Sequence, residues 1–168
     1  MSNGLFDLIE WIAVGFNLIF VVLIIREIKA GWLFGIAGSA LSILLFISVQ
    51  LYSEAILYAF YVLMGIYGWQ QWNKAGDVEL PVTEWRLVTH LRYMLAGIAL
   101  SLGLGSIFAS QTDAEKPFFD AFSTVFSFLA TYLEAKKVLS TWVYWIALNG
   151  FSIWLYNERG LPVYAGLM

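Results

Sequence analysis

The chain has 168 residues and a net charge of −3; 61% are hydrophobic, 12% are charged, and the mean hydropathy is +0.76. A soluble domain carries about a quarter charged residues, so this composition excludes that class, and the lack of a basic surface argues against nucleic acid as a partner. No cysteine is present, which removes disulfides and thiolate metal ligands. Six apolar runs follow in chain order: Leu8–Ile25, Trp32–Leu51, Ala55–Trp72, Leu91–Ala109, Phe118–Leu133 and Trp142–Tyr156. Several reach the roughly 17–25 residues that cross a hydrocarbon layer, and lipid cannot satisfy free backbone groups, so each run is predicted as a spanning α-helix. The first run is a poor signal peptide, because Asp7 and Glu10 stand where a basic region belongs.

The breaks between runs are charged or turn-forming, and their cations are unevenly shared. The first, third and fifth breaks hold Arg26, Lys29, Lys74, Arg86, Arg92, Lys136 and Lys137. The N-terminal tail and the remaining breaks hold only Lys116 and Arg159. The positive-inside rule then places the first set in the cytoplasm and the N-terminus outside. His90 falls at the end of the long third break, beside Arg92, where a solvated loop histidine is expected. After Gly160 the sequence turns apolar again and contains Pro162, a common first-turn residue. This stretch reads as the start of a seventh helix, truncated in this chain about ten residues short of a full crossing.

Internal repetition gives the organisation. Trp32-Leu33-Phe34-Gly35-Ile36-Ala37 matches Trp142-Val143-Tyr144-Trp145-Ile146-Ala147, and Leu51-Tyr52-Ser53-Glu54 matches Leu155-Tyr156-Asn157-Glu158. Both pairs mark the start and end of the second helix of a three-helix unit. The expectation is an all-α polytopic membrane protein with 3+1+3 transmembrane helices in two same-orientation repeats. Residues 1–72 form the first repeat, 73–110 the cytoplasmic loop and linker helix, and 111–168 the second repeat. Transporters of this plan hold substrate between the halves near the midplane.

Two aromatic signatures stand out: Tyr67-Gly68-Trp69-Gln70-Gln71-Trp72 and Trp142-Val143-Tyr144-Trp145-Ile146-Ala147-Leu148-Asn149. At about 100° per residue, Trp142, Trp145 and Asn149 share one narrow face of the sixth run, and Asp120, Thr124, Ser127 and Thr131 share a polar stripe on the fifth. Polar groups at membrane depth are costly unless they face protein or a cavity, so aligned stripes point to a pathway or pocket. Indole faces attract a flat or cationic ring, and an amide such as Asn149 both donates and accepts. Trp11, Trp32, Trp85 and Trp154 read as interfacial belt residues. Gly35 and Gly38 read as close helix contacts, and Asp120 as a complement to a helix N-terminus.

Catalysis finds no support. The sequence has one histidine and no paired carboxylates at membrane depth, glycine-rich phosphate loop or nucleophile elbow. No catalytic residue, metal or cofactor is expected.

The motif Tyr67-Gly68-Trp69-x-x-Trp72, together with Trp142-x-x-Trp145-x-x-x-Asn149, resembles the PnuC family of bacterial nicotinamide riboside transporters. The resemblance runs from about Trp32 to the end of the chain. It implies a multi-pass inner-membrane protein sharing its fold with the SWEET sugar transporters, carrying a nucleoside by facilitated diffusion. It also implies a functional link to a cytoplasmic nucleoside kinase, and a homo-oligomer, a trimer in the family. Carried over by position, Trp69, Trp72, Trp142, Trp145 and Asn149 form the binding site, with Gln71, Thr124 and Ser127 as polar contacts. The alternatives are transport of another vitamin such as thiamine or riboflavin, and a membrane scaffold whose aromatic motifs only pack helices.

Overall fold

The computed structural model describes residues 3–48, 52–74, 80–111 and 116–158. Side chains at 3, 7, 52–54 and 155–158 lie outside that description, as does the predicted start of a seventh helix. Among the described residues there are six helices: α1 Asn3–Ile25, α2 Gly31–Ser48, α3 Tyr52–Lys74, α4 Leu87–Gln111, α5 Pro117–Ala135 and α6 Thr141–Glu158. Each coincides with a predicted apolar run, extended by a turn or less at most ends. The exceptions are α1, which starts at Asn3, and α4, which starts at Leu87 and so takes His90 out of the predicted loop.

Three helices are long and apolar enough to cross a membrane by length and composition alone: α1, α2 and α4. The other three, α3, α5 and α6, together carry every residue predicted to touch substrate. Polar side chains within an otherwise apolar helix lower its hydropathy where a cavity or a partner helix compensates them. Elsewhere the surface is strongly apolar, with Trp11, Leu18, Ile56 and Leu87 exposed, as lipid-facing positions require.

The chain divides into two compact units, Met1–Pro81 and Val82–Met168. In the first unit α2 packs on both α1 and α3. Small residues set the spacing. A Cβ on Gly38 would meet Asn17 at 2.8 Å, and one on Gly68 would meet the Trp32 ring at 2.6 Å. Without side chains at these points the helices approach closely, and dispersion between them supplies the attraction that lipid does not. Trp32 is 1% exposed. It stands edge-on to Phe20 and Trp72, with ring centroids 5.5 and 5.7 Å away. The belt position expected for Trp32 is therefore corrected: it is a core residue, because Gly68 opens a slot that only a large flat ring fills.

In the second unit α5 is central and packs on α4 and α6. Pro117 starts α5 at a position where its missing N–H costs nothing. Phe126, Ala130 and Leu148 form the core, with Phe122, Leu129, Tyr144 and Trp145 packed against it. The segment before α4 is strapped onto the α5–α6 turn. Thr83 donates its N–H to the Lys137 carbonyl at 2.9 Å and accepts from the Leu139 N–H at 2.9 Å. Trp85 is half-buried and tilted against Tyr93 at 4.8 Å, so it too belongs to a packed aromatic group. Trp11 and Trp154 remain exposed, and Lys116 lies 5.4 Å from the Trp154 ring.

The α1–α2 and α5–α6 turns are built alike. In the first, Glu27 has φ 58° and donates its N–H to the Ile24 carbonyl, while Ile28 donates to Leu23. In the second, Lys137 has φ 50° and donates to Glu134, while Val138 donates to Leu133. Both are Schellman closures with a left-handed residue in the place glycine usually takes. The numbering offset between the turns is constant, and it places Trp32 opposite Trp142, Gly35 opposite Trp145, and Ile24 opposite Glu134.

Candidate functional site

Helices α5 and α6 carry most of the predicted residues. Trp142, Trp145 and Asn149 stand on successive turns of α6, each half-buried, and Thr124 and Ser127 are half-buried on α5. Thr141 ties the start of α6 to α5 by donating its hydroxyl to the Ala130 carbonyl at 2.8 Å. Thr131 donates to the Ser127 carbonyl at 2.9 Å. Its hydroxyl is thereby committed to its own helix, a common arrangement for threonine in membrane helices.

Trp145 does more than pack. Its indole N–H donates to the carboxyl group of Glu134, and Glu134 is 5% exposed in the last turn of α5. The ring is thus gripped at its polar edge by α5 and along one side by the core. Glu134 was not among the predicted site residues, although the sequence carries its signal. At about 100° per residue it falls on the same stripe as Asp120, Thr124, Ser127 and Thr131. Its neighbours Lys136 and Lys137 make it resemble a charged loop residue instead.

Trp69, Gln71 and Trp72 belong to the first unit, in the last two turns of α3. Trp69 and Gln71 are half-buried. Trp72 is 7% exposed, with its ring against Trp32. The α3 end is tied to the α1–α2 turn by Lys29, which donates to Asn73 Oδ1 at 3.0 Å.

The opposite face of α6 borders a separate crevice of about 530 Å³, lined by His90, Met94, Phe122, Phe126, Tyr144 and Phe151 among others. The expected solvated loop position of His90 is corrected here. His90 is half-buried on α4, its Nδ1 3.1 Å from the Tyr144 hydroxyl and its Nε2 3.2 Å from Ser140 Oγ. The tie arises because α4 begins a turn earlier than hydropathy indicates, with Arg86 accepting from the Thr89 and His90 N–H groups.

Long apolar helices of this kind, packed through aligned polar and aromatic residues, define a polytopic α-helical membrane protein. Among the described residues no group of histidines and carboxylates is arranged to hold a metal. Over residues 7–168 the chain matches the nicotinamide mononucleotide transporter family, and it belongs to that family. It is a membrane transporter by class, and not an enzyme. It is 27% identical to the nicotinamide riboside transporter PnuC of Escherichia coli K12, across 96% of this chain and 80% of that protein. The PnuC of Shigella flexneri is similar to the same extent. A crystal structure of the vitamin B3 transporter PnuC shares the fold, with a TM-score of 0.74 and 19% identity over 90% of this chain and 67% of that one.

Proposed function

We propose that this chain carries nicotinamide riboside across the bacterial inner membrane by facilitated diffusion. The observation that carries the reading is the family match over residues 7–168, which includes both aromatic signatures. The substrate has a flat cationic ring, a carboxamide and a ribose. Trp142 and Trp145 offer stacking faces worth about 0.5–2 kcal/mol each to such a ring. Asn149 matches the carboxamide's need for one donor and one acceptor, and the Thr124 and Ser127 hydroxyls suit the ribose. Trp69, Gln71 and Trp72 contribute from the first repeat.

In this reading the helices follow a 3+1+3 plan with repeats at 1–72 and 111–168, joined through 73–110. The like-built turns before Trp32 and Trp142 support it. Alternating access comes from the halves rocking about a central site. The N-terminus is outside, the chain assembles as a homo-trimer, and a cytoplasmic kinase traps the nucleoside by phosphorylation.

The test is counterflow in proteoliposomes loaded with unlabelled nicotinamide riboside. A uniporter accumulates labelled nicotinamide riboside transiently without a proton gradient, and excess thiamine or riboflavin leaves that signal in place. Absence of counterflow by folded protein, or its replacement by thiamine counterflow, rejects the proposal.

A further inference from the structure

The last turn of α5 carries a carboxylate that the turn itself does not need. Glu134 is 5% exposed, and its backbone carbonyl closes the Schellman turn by accepting from the Lys137 N–H at 3.0 Å. The α1–α2 turn makes the same bond from Glu27 to the Ile24 carbonyl at 2.9 Å, and Ile24 is 4% exposed. An aliphatic side chain therefore suffices at this position. An ionisable group there is costly unless a hydrogen bond compensates it.

The compensation comes from Trp145, whose indole N–H donates to Glu134. Unit 1 has Gly35 at the matching place, where Phe20 fills the space a side chain would take. The acid and the indole thus occur together in the second unit, and neither occurs at these places in the first. We propose that Glu134 is a positioning residue for substrate binding: by accepting the Trp145 N–H it fixes the plane of the indole before the substrate's flat ring arrives. An unanchored indole rotates about two side-chain torsions, and stopping that rotation on binding weakens affinity. The inference rests on the reading of Trp145 as a stacking residue for nicotinamide riboside.

The experiment uses the full chain in detergent, labelled with 5-fluorotryptophan. The 19F resonance of Trp145 is assigned by its loss in Trp145→Phe, and nicotinamide riboside binding is measured by calorimetry. Glu134→Ile copies unit 1. It should fold with an unchanged or higher unfolding temperature, shift and broaden the Trp145 resonance, and raise Kd about tenfold, the scale of one hydrogen bond. Glu134→Gln keeps an acceptor, so it should restore the resonance and bring Kd back to within about threefold of wild type. A resonance unmoved by Glu134→Ile overturns the link between the two residues, whatever the ligand data show. A moved resonance with unchanged Kd overturns the positioning role. If Trp145→Ala binds nicotinamide riboside as tightly as wild type, the stacking reading fails and takes this inference with it. Failure of Glu134→Ile to fold also overturns it, because the carboxylate would then be a requirement of the turn.

Discussion

Two turns of one chain, α1–α2 and α5–α6, close with the same hydrogen bonds and a left-handed residue at the same position, yet the side chains around them are put to different ends. In unit 1 the tryptophan that follows the turn, Trp32, is sunk into the core between Phe20, Gly68 and Trp72. In unit 2 its counterpart Trp142 stays half-buried, and a second indole, Trp145, is anchored by a carboxylate where unit 1 has glycine and isoleucine. A backbone frame used twice thus supports a closed aromatic core in one case and a partly open aromatic face in the other. Small residues decide which: Gly35 and Gly68 let helices close over aromatic rings, whereas Trp145 itself fills the corresponding space in unit 2.

The widest contrast is expected from truncating the two equivalent tryptophans. Trp32→Ala should cost about 3–5 kcal/mol, because a fully enclosed ring leaves a cavity among rigid neighbours. Trp142→Ala should cost well under half of that, since part of the ring has no protein contact to lose. Thermal unfolding of the two variants in detergent reads the difference directly. Equal losses would mean that both units use this ring as core.

Affinity should sort in the opposite direction. Trp145→Ala is expected to weaken nicotinamide riboside binding by about 0.5–2 kcal/mol, the scale of a lost stacking face, and Asn149→Ala by about 1–3 kcal/mol, the cost of leaving the carboxamide without its partner. Helical content by circular dichroism should be retained. Next in size is Gly68→Ala, whose new Cβ would lie 2.6 Å from the buried Trp32 ring. Overpacking of that kind costs about 1–3 kcal/mol. Gly150→Ala, with nothing within 4 Å of its Cβ position, serves as the control in unit 2 and should be neutral or slightly stabilising. Unfolding temperatures compare the pair.

Most of the fold was legible in the sequence because lipid imposes a simple rule: long apolar runs become helices, and charges mark their ends. The candidate site was legible in part. Trp142, Trp145 and Asn149 announce themselves by recurring on one helical face. Glu134 follows the same periodicity on α5, but proximity to Lys136 and Lys137 disguises it, and what distinguishes it is a partner eleven residues away on another helix. The place of Trp32 is hidden for a related reason. Nothing local separates a belt tryptophan from a core one; the slot at Gly68, on a different helix, does. His90 belongs to the same group, since its ties to Ser140 and Tyr144 span fifty or more residues.

The strap gives a smaller but more local test of the difference between the turns. Thr83→Pro removes the N–H that bonds the Lys137 carbonyl, a loss of about 1 kcal/mol. It should raise the rate of limited proteolysis in the segment before α4.

The finest comparison concerns the left-handed residues themselves. Glu27 and Lys137 both hold a positive φ that non-glycine residues adopt at a cost of about 1–2 kcal/mol. Glycine removes that cost but gains conformational freedom in the unfolded chain, which returns about 0.5–1 kcal/mol of it. Glu27→Gly should therefore be the more favourable of the two changes, because the Glu27 side chain is exposed and contacts at exposed sites contribute little. Lys137→Gly gains the same backbone relief but also removes a side chain that is only 8% exposed, together with the packing of its aliphatic stem. Its net effect should be neutral or destabilising. Unfolding midpoints for the two variants, measured in one detergent, test the assignment: a gain at Lys137 equal to that at Glu27 would show that the Lys137 side chain contributes nothing to its turn, and that the backbones alone account for the stability of both corners.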